Sequence, residues 1–271
     1  MWLTKELHLS AITALVLSAI IFSPAAKADE DLWTGIKKEL YGSDRPIAEE
    51  DGAVKLDAPY RAEDAAIVPL TITMPATIAP DVKTLTLVID KNPAPVVASF
   101  KFGEGAGLGE RKISTRVRVD MYSNVRAIIE TRDGKLHMTT KFVKAAGGCS
   151  APALKDMDAA LANVGKMKVR DFKADDTAKL VREAQVMVRH PNYSGMQMNQ
   201  LTGLYIPANY VDHMVVRKGD ELIFEMEGGI SLSEDPNIRF TYAASADGPL
   251  SVTARDTDGK VFTAQSEAKG S

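Results

Sequence analysis

The chain is punctuated into short β-rich runs by turn residues, and that pattern limits the folds open to it. The first set is Val54–Leu56, Ile67–Met74, Thr84–Asp90, Val96–Phe102, Ile113–Val119, Val125–Arg132 and Lys135–Val143. The second is Ala184–His190, Tyr210–Arg217, Glu221–Met226, Asn237–Ala243, Leu250–Arg255 and Lys260–Gln265. Asp133-Gly134 and Asp258-Gly259 are hairpin signals, one in each set. Pro93 and Pro95 interrupt a run and place that piece in a loop or at an edge. Short strands at this spacing predict antiparallel β-sandwiches, one per set. A chain of 271 residues has room for two such domains. The expected fold is therefore all-β, with two immunoglobulin-like sandwiches.

Two segments break the pattern with helical spacing. Leu32, Trp33, Ile36 and Leu40 mark a short amphipathic helix over Asp29–Tyr41, closed by Gly42, whose expected role is packing. Leu154, Met157, Leu161 and Val164 predict a connecting helix between the two sets of strands. The glycine-rich stretch Gly103–Gly109 lacks the spacing of a dinucleotide fingerprint and precedes a strand. It reads as a flexible strand connection. Pro191 to Pro207 is a long irregular stretch, and a loop of that length in a compact domain is often functional.

Residues 1–28 have the form of a secretory signal peptide. Lys5 precedes an uncharged, mostly apolar run from Leu9 to Phe22, shorter than a membrane span needs. Ala26-Lys27-Ala28 supplies the small-x-small cleavage pattern, with the cut expected after Ala28. The mature chain is expected to be soluble and exported, with no membrane segment. Removing Lys5, Lys27 and Glu6 moves the net charge from −3 to −4, which argues against a nucleic-acid partner.

Export gives the single cysteine, Cys149, its weight. Exported proteins commonly pair their cysteines, and a lone one forms no internal bridge. Its setting is Lys144-Ala-Ala-Gly-Gly-Cys-Ser-Ala-Pro152, between the strand-rich halves. Gly147 and Gly148 before it, and Ser150 after it, predict a flexible arm that presents an exposed thiol. Lys141, Lys144 and Lys155 are the cations near enough in sequence to favour the thiolate. A tether without a fixed pocket is poor for catalysis, which depends on preorganised geometry. It suits a carrier that shows one atom to several enzymes.

Other constellations are weak. His137, His190 and His213 stand alone, without a second ligand at metal-site spacing. His190 reads as a satisfied structural histidine near the long loop. Met196 and Met198 have no histidine or cysteine beside them, and Asp256-Thr-Asp258-Gly259 lacks the remaining positions of a calcium loop. Asn192-Tyr-Ser194 fits the short glycosylation pattern. No catalytic residue and no cofactor is expected, and the chain reads as a non-enzyme.

With these residues in view, the first half resembles the SoxY family. The resemblance lies in Asn92-Pro-Ala-Pro-Val-Val-Ala-Ser-Phe-Lys-Phe102, Ile113-Ser-Thr-Arg-Val-Arg-Val119 and Gly147-Gly148-Cys149. SoxY is the sulfur-carrier subunit of the periplasmic thiosulfate-oxidising system. The second half resembles its partner SoxZ in Met187-Val-Arg-His-Pro191, Ile206-Pro-Ala-Asn-Tyr210 and the region from Gly228 to Arg239. Together they look like fused SoxYZ-like carriers associated with quinoprotein dehydrogenases. The resemblance implies two packed immunoglobulin-like sandwiches and a covalent carrier cysteine, here Cys149. In the SoxY family the arm is Gly-Gly-Cys-Gly-Gly and ends the chain, whereas here Ser150-Ala151-Pro152 follows and the chain continues.

The expected organisation is a signal peptide at 1–28, a SoxY-like sandwich at 29–151, a helical linker at 152–183 and a SoxZ-like sandwich at 184–271. The expected function is a periplasmic carrier that holds a sulfur-containing intermediate on Cys149 for sulfur-oxidation enzymes. The alternative is an accessory module for a periplasmic quinoprotein (PQQ) dehydrogenase, with the thiol secondary.

Overall fold

The computed structural model describes residues 24–152, 162–172 and 180–266, with side chains from Leu32 onward. Among the described residues the full-length elements are one α-helix, α1 (Pro24–Tyr41), and fifteen strands. The first half holds β1 (Ile47–Glu49), β2 (Lys55–Asp57), β3 (Val68–Met74), β4 (Val82–Ile89), β5 (Val96–Phe102), β6 (Arg111–Val117), β7 (Ser123–Thr131) and β8 (Leu136–Val143). The second holds β9 (Met167–Asp171), β10 (Val181–Val188), β11 (Val211–Lys218), β12 (Glu221–Gly228), β13 (Asn237–Ala243), β14 (Leu250–Asp256) and β15 (Val261–Gln265).

All the strand runs expected from sequence are present, with ends shifted by at most three residues and β5 and β13 matched at both ends. The short β1 and β9 lie outside those runs. β1 pairs with β8 in parallel, against the antiparallel rule of the other ladders. The two hairpin signals close β7–β8 and β14–β15, with Gly134 and Gly259 at positive φ.

The two halves share their layers. One sheet has nine strands in the order β1-β8-β7-β4-β5-β12-β11-β14-β15. The other has six, in the order β2-β3-β6-β13-β10-β9. Each half is a two-layer sandwich, and both of its layers continue into the other half. β5 joins β12 with Phe102 opposite Phe224 and Phe100 opposite Met226. β6 joins β13 with Ile113 opposite Phe240. Alternating side chains send Leu70, Ile72 and Ile113 of one half inward with Phe224, Met226 and Phe240 of the other. They form one buried core. Its centre is an edge-to-face run, Phe100 on Phe224 at 5.5 Å and Phe224 on Phe240 at 5.1 Å between ring centroids.

Three expectations are corrected here. The expected linker is part strand, because β9 adds to the edge of the six-stranded sheet beside β10. Most of its helical stretch, residues 153–161, lies outside the described residues. The Gly103–Gly109 stretch is a packed 3-10 turn rather than a flexible connection. A Cβ on Gly103 would overlap Leu222, so glycine there permits close approach between the halves. The helix starts earlier than expected, at Pro24. Trp33 and Ile36 are buried with Val88, Ile128, Leu136 and Met138 on the outer face of the nine-stranded sheet. The Arg126 guanidinium stacks 4.2 Å from the Trp33 ring and pairs with buried Asp90, so the helix has the packing role expected of it.

Candidate functional site

The site lies where β6 ends and the chain continues as Arg118-Val119-Asp120. Two carbonyls of this strip receive the arm: Gly147 N donates to Asp120 O at 2.8 Å and Gly148 N to Val119 O at 3.0 Å. The strip is itself held fast. Asn92 Nδ2 donates to Arg118 O at 2.7 Å, and Asn92 Oδ1 accepts from Asp120 N at 2.9 Å. Arg118 N donates to Ser231 O at 2.8 Å, which ties the strip to the second half.

Cys149 is fully buried, contrary to the expectation of an exposed thiol. The flexible arm is likewise corrected. Gly147 sits at φ 78°, a left-handed conformation that glycine takes without strain. A Cβ on Gly148 would overlap Ala65 O and come within 2.7 Å of Val119 O. These glycines serve a fixed turn and a close approach. Ser150 remains exposed, and its hydroxyl donates to Gly147 O at 3.4 Å.

The start of the long loop after Pro191 is fastened to the arm on both sides of the buried thiol. Ser194 donates its hydroxyl to Cys149 O. Gln197 Nε2 donates to Ala151 O at 3.1 Å, and Gln197 Oε1 accepts from Ser194 N at 3.1 Å. The loop is anchored in turn. Asn192 Oδ1 accepts from Val211 N at 3.2 Å, and His190 Nδ1 accepts from Asn192 N at 3.0 Å. His190 is thus the satisfied structural histidine expected; burial lowers its proton affinity. Its Nδ1 carries no proton in this arrangement, because it is the acceptor. Asn192 is fully buried, which rules it out as a glycan acceptor on the folded chain.

Arg118 spans the boundary. Its guanidinium is only 1% exposed, with Nη1 donating to Gly148 O at 3.2 Å and Nη2 to Asn192 O at 3.4 Å. Burial lowers the Arg118 pKa, while Glu234, the Cys149 thiol and Asp64 act to raise it. Burial raises the Glu234 pKa, against the attraction of Arg118. The thiol is pushed up to about 12, chiefly by burial and then by the Asp120 carboxylate, with Arg118 opposing. Asp120 Oδ1 also accepts from Cys149 N at 3.3 Å. In this arrangement the sulfur is a protected neutral thiol.

The cation that acts on the thiol among the described residues is Arg118. Lys144 lies over the Tyr60 ring at 4.8 Å, and Lys155 is outside the described residues. Arg118, Asp120, Asn92, Ser194 and Gln197 were missed as site residues. Their sequence signals were the stretch opening at Asn92, the run ending at Val119, the Asn192-Tyr-Ser194 pattern and the length of the loop after Pro191. Among the described residues no group of three or more His, Cys, Asp or Glu is placed to hold a metal. Among them no helix is long and apolar enough to cross a membrane.

Comparison with known proteins divides the chain in the same place as its composition. Residues 37–149 match the family described as sulfur oxidation protein SoxY, and the match ends on Cys149. Residues 169–267 match the family described as sulphur oxidation protein SoxZ. No curated protein matched. Among solved structures, the sulfur carrier protein SoxY from Chlorobium limicola f thiosulfatophilum is 27% identical. That match covers 45% of this chain and 100% of the other, with a TM-score of 0.36. A beta-glycosidase from Bacteroides vulgatus is 11% identical over 83% of this chain and 25% of its own, with a TM-score of 0.25.

Proposed function

Because the chain joins a SoxY-family domain to a SoxZ-family domain, we propose that it is a periplasmic carrier holding a sulfur-containing intermediate on Cys149. The observation that carries this reading is that the SoxY match ends on the chain's single cysteine, with the loop of the SoxZ half laid over it. The carrier is non-catalytic. The signal peptide is cleaved after Ala28, and sulfur-oxidation enzymes of the same compartment load and unload the thiol.

Loading joins Cys149 Sγ to a sulfur atom of the cargo. For a cargo bearing an S–H group, both S–H bonds break and one S–S bond forms. Two protons leave, and two electrons pass to an acceptor in the partner redox enzyme. The sealed thiol adds one requirement: the segment from Asn192 to Gln197 must move before the sulfur can be reached. Exchange among hydrogen bonds with small net worth, about 1 kcal/mol each, makes that movement accessible.

Intact mass of the protein recovered from its native periplasm, before and after reductant, tests the proposal. A reductant-sensitive adduct on Cys149, absent from Cys149→Ser, is the expected result. The burial of the thiol favours a second reading, an accessory module for a periplasmic quinoprotein dehydrogenase. A dehydrogenase retained equally by the wild type and Cys149→Ser, together with an unmodified thiol, would establish that reading instead.

A further inference from the structure

The outer face of the six-stranded sheet carries a cleft that plays no part in sealing Cys149. It encloses about 470 Å³, within the range of small-molecule sites. Its floor crosses four strands: Arg116 of β6, Asn237 of β13, Met187 of β10 and Lys168 of β9. Met187 stands opposite both Asn237 and Lys168 in the ladders, so these residues share one row. Asn163, Lys166 and Arg189 add to the wall, and among the described residues Asp235 is the one acid that lines it.

The charge balance of the cleft is opposite to that of the chain, whose net charge is −3. Asp235 is already committed. One carboxylate oxygen pairs with Arg189 Nη1, and the other accepts from His190 N at 3.1 Å. It therefore offsets Arg189; Glu234 lies near enough to attract Arg116, and among the described residues Lys166 and Lys168 pair with no carboxylate. Lys166 Nζ donates to the neutral Asn163 Oδ1 at 2.7 Å. Arg116 Nη2 donates to the Asp235 carbonyl at 3.1 Å, while its Nε is buried with no hydrogen-bond partner among the described residues. A buried donor without a partner is costly, so Arg116 enters the cleft with hydrogen-bonding capacity that the described residues do not fill.

We infer that this cleft binds a small divalent oxoanion, of the sulfate, thiosulfate or phosphate type, non-covalently and separately from Cys149. The guanidinium forks of Arg116 and Arg189 match such oxygens, and the two lysines add point charges. An open cleft of this size admits the anion with part of its water. Arg116 stands next to Val117, the last residue of β6, and Arg118 follows directly, so the cleft and the sealed thiol lie at the same end of the sheet.

The test uses the full mature chain carrying Cys149→Ser, in which no adduct can form. Isothermal titration at low ionic strength with sulfate, thiosulfate and phosphate reads the affinity and ranks the three sources. Saturable one-to-one binding that weakens with added salt is expected. Lys166→Gln with Lys168→Gln removes two exposed charges and should weaken it about 25-fold. That is about fivefold for each ~1 kcal/mol, the contact Coulomb energy in water of one lysine with one of the anion's two charges. Absence of saturable binding, or an unchanged affinity in the double variant, overturns the inference. Neither outcome bears on the carrier reading, which is decided by adduct mass on an intact Cys149.

Discussion

Ser194 donates its hydroxyl to the carbonyl of Cys149, although 45 positions separate them in the chain. The bond crosses from the SoxZ half to the last residue of the SoxY match. Ser194→Ala removes it and leaves a buried carbonyl without that donor. Stability should fall by about 1 kcal/mol. Alkylation of Cys149 by iodoacetamide at pH 8 should quicken several-fold. A labelling rate equal to that of the wild type would show that the loop does not gate the thiol.

The thiol itself predicts a pH dependence. Its folded pKa, about 12, lies above the value of 9.0 for an unperturbed cysteine. The folded state therefore holds the proton more tightly than the unfolded state. The stabilisation from the neutral thiol is complete below pH 9 and is lost as pH rises toward 12. Denaturant midpoints measured across that window should fall more steeply for the wild type than for Cys149→Ser. Parallel curves would contradict the buried neutral thiol.

Asp120→Asn separates charge from hydrogen bonding. The amide oxygen still accepts from Cys149 N, but the negative charge beside the thiol is gone. The thiol pKa should drop, and thiolate absorbance should appear at lower pH during an alkaline titration. A midpoint unchanged or raised would mean that burial alone sets the value.

Gly148→Ala tests whether the arm is fixed. A new Cβ meets the backbone oxygens of Ala65 and Val119, neither of which is the end of a flexible side chain. The expected cost is about 1–3 kcal/mol, with faster labelling of Cys149. A truly mobile arm would absorb the methyl group with no loss in thermal midpoint.

Phe224→Ala should lower stability by about 3–5 kcal/mol. Phe224 contacts Phe100 of the other half and Phe240 of its own. Calorimetry of the variant should still show one transition, because the core is common. Two resolved transitions would mean that the halves unfold independently.

The strands were legible because each half has its own turns and its own apolar runs. Asp133-Gly134 and Asp258-Gly259 needed no tertiary information to be read as hairpins. The joining of β5 to β12 and of β6 to β13 was hidden, since edge pairing between distant strands leaves no local pattern. The site was half legible. Cys149 stood out by composition, but Gly147 and Gly148 suggested mobility where tertiary contacts impose order. A glycine that allows close approach looks the same in sequence as one that allows motion. Arg118 shares the parity of Ser114 and Arg116, which point outward from the sheet. The strand register placed it toward solvent, and the arm at Gly148 together with the loop after Pro191, folded back over it, buries it.

The layers shared by the two halves also fix a stoichiometry. In a carrier assembled from separate subunits, dilution favours dissociation, and each dissociation would uncover Phe102, Phe100 and their partners on β12. Here the covalent connection keeps both edges at a high effective concentration, so the paired state is independent of expression ratio. A single backbone nick within residues 173–179 would convert that unimolecular pairing into an association. The midpoint of unfolding would then become dependent on protein concentration.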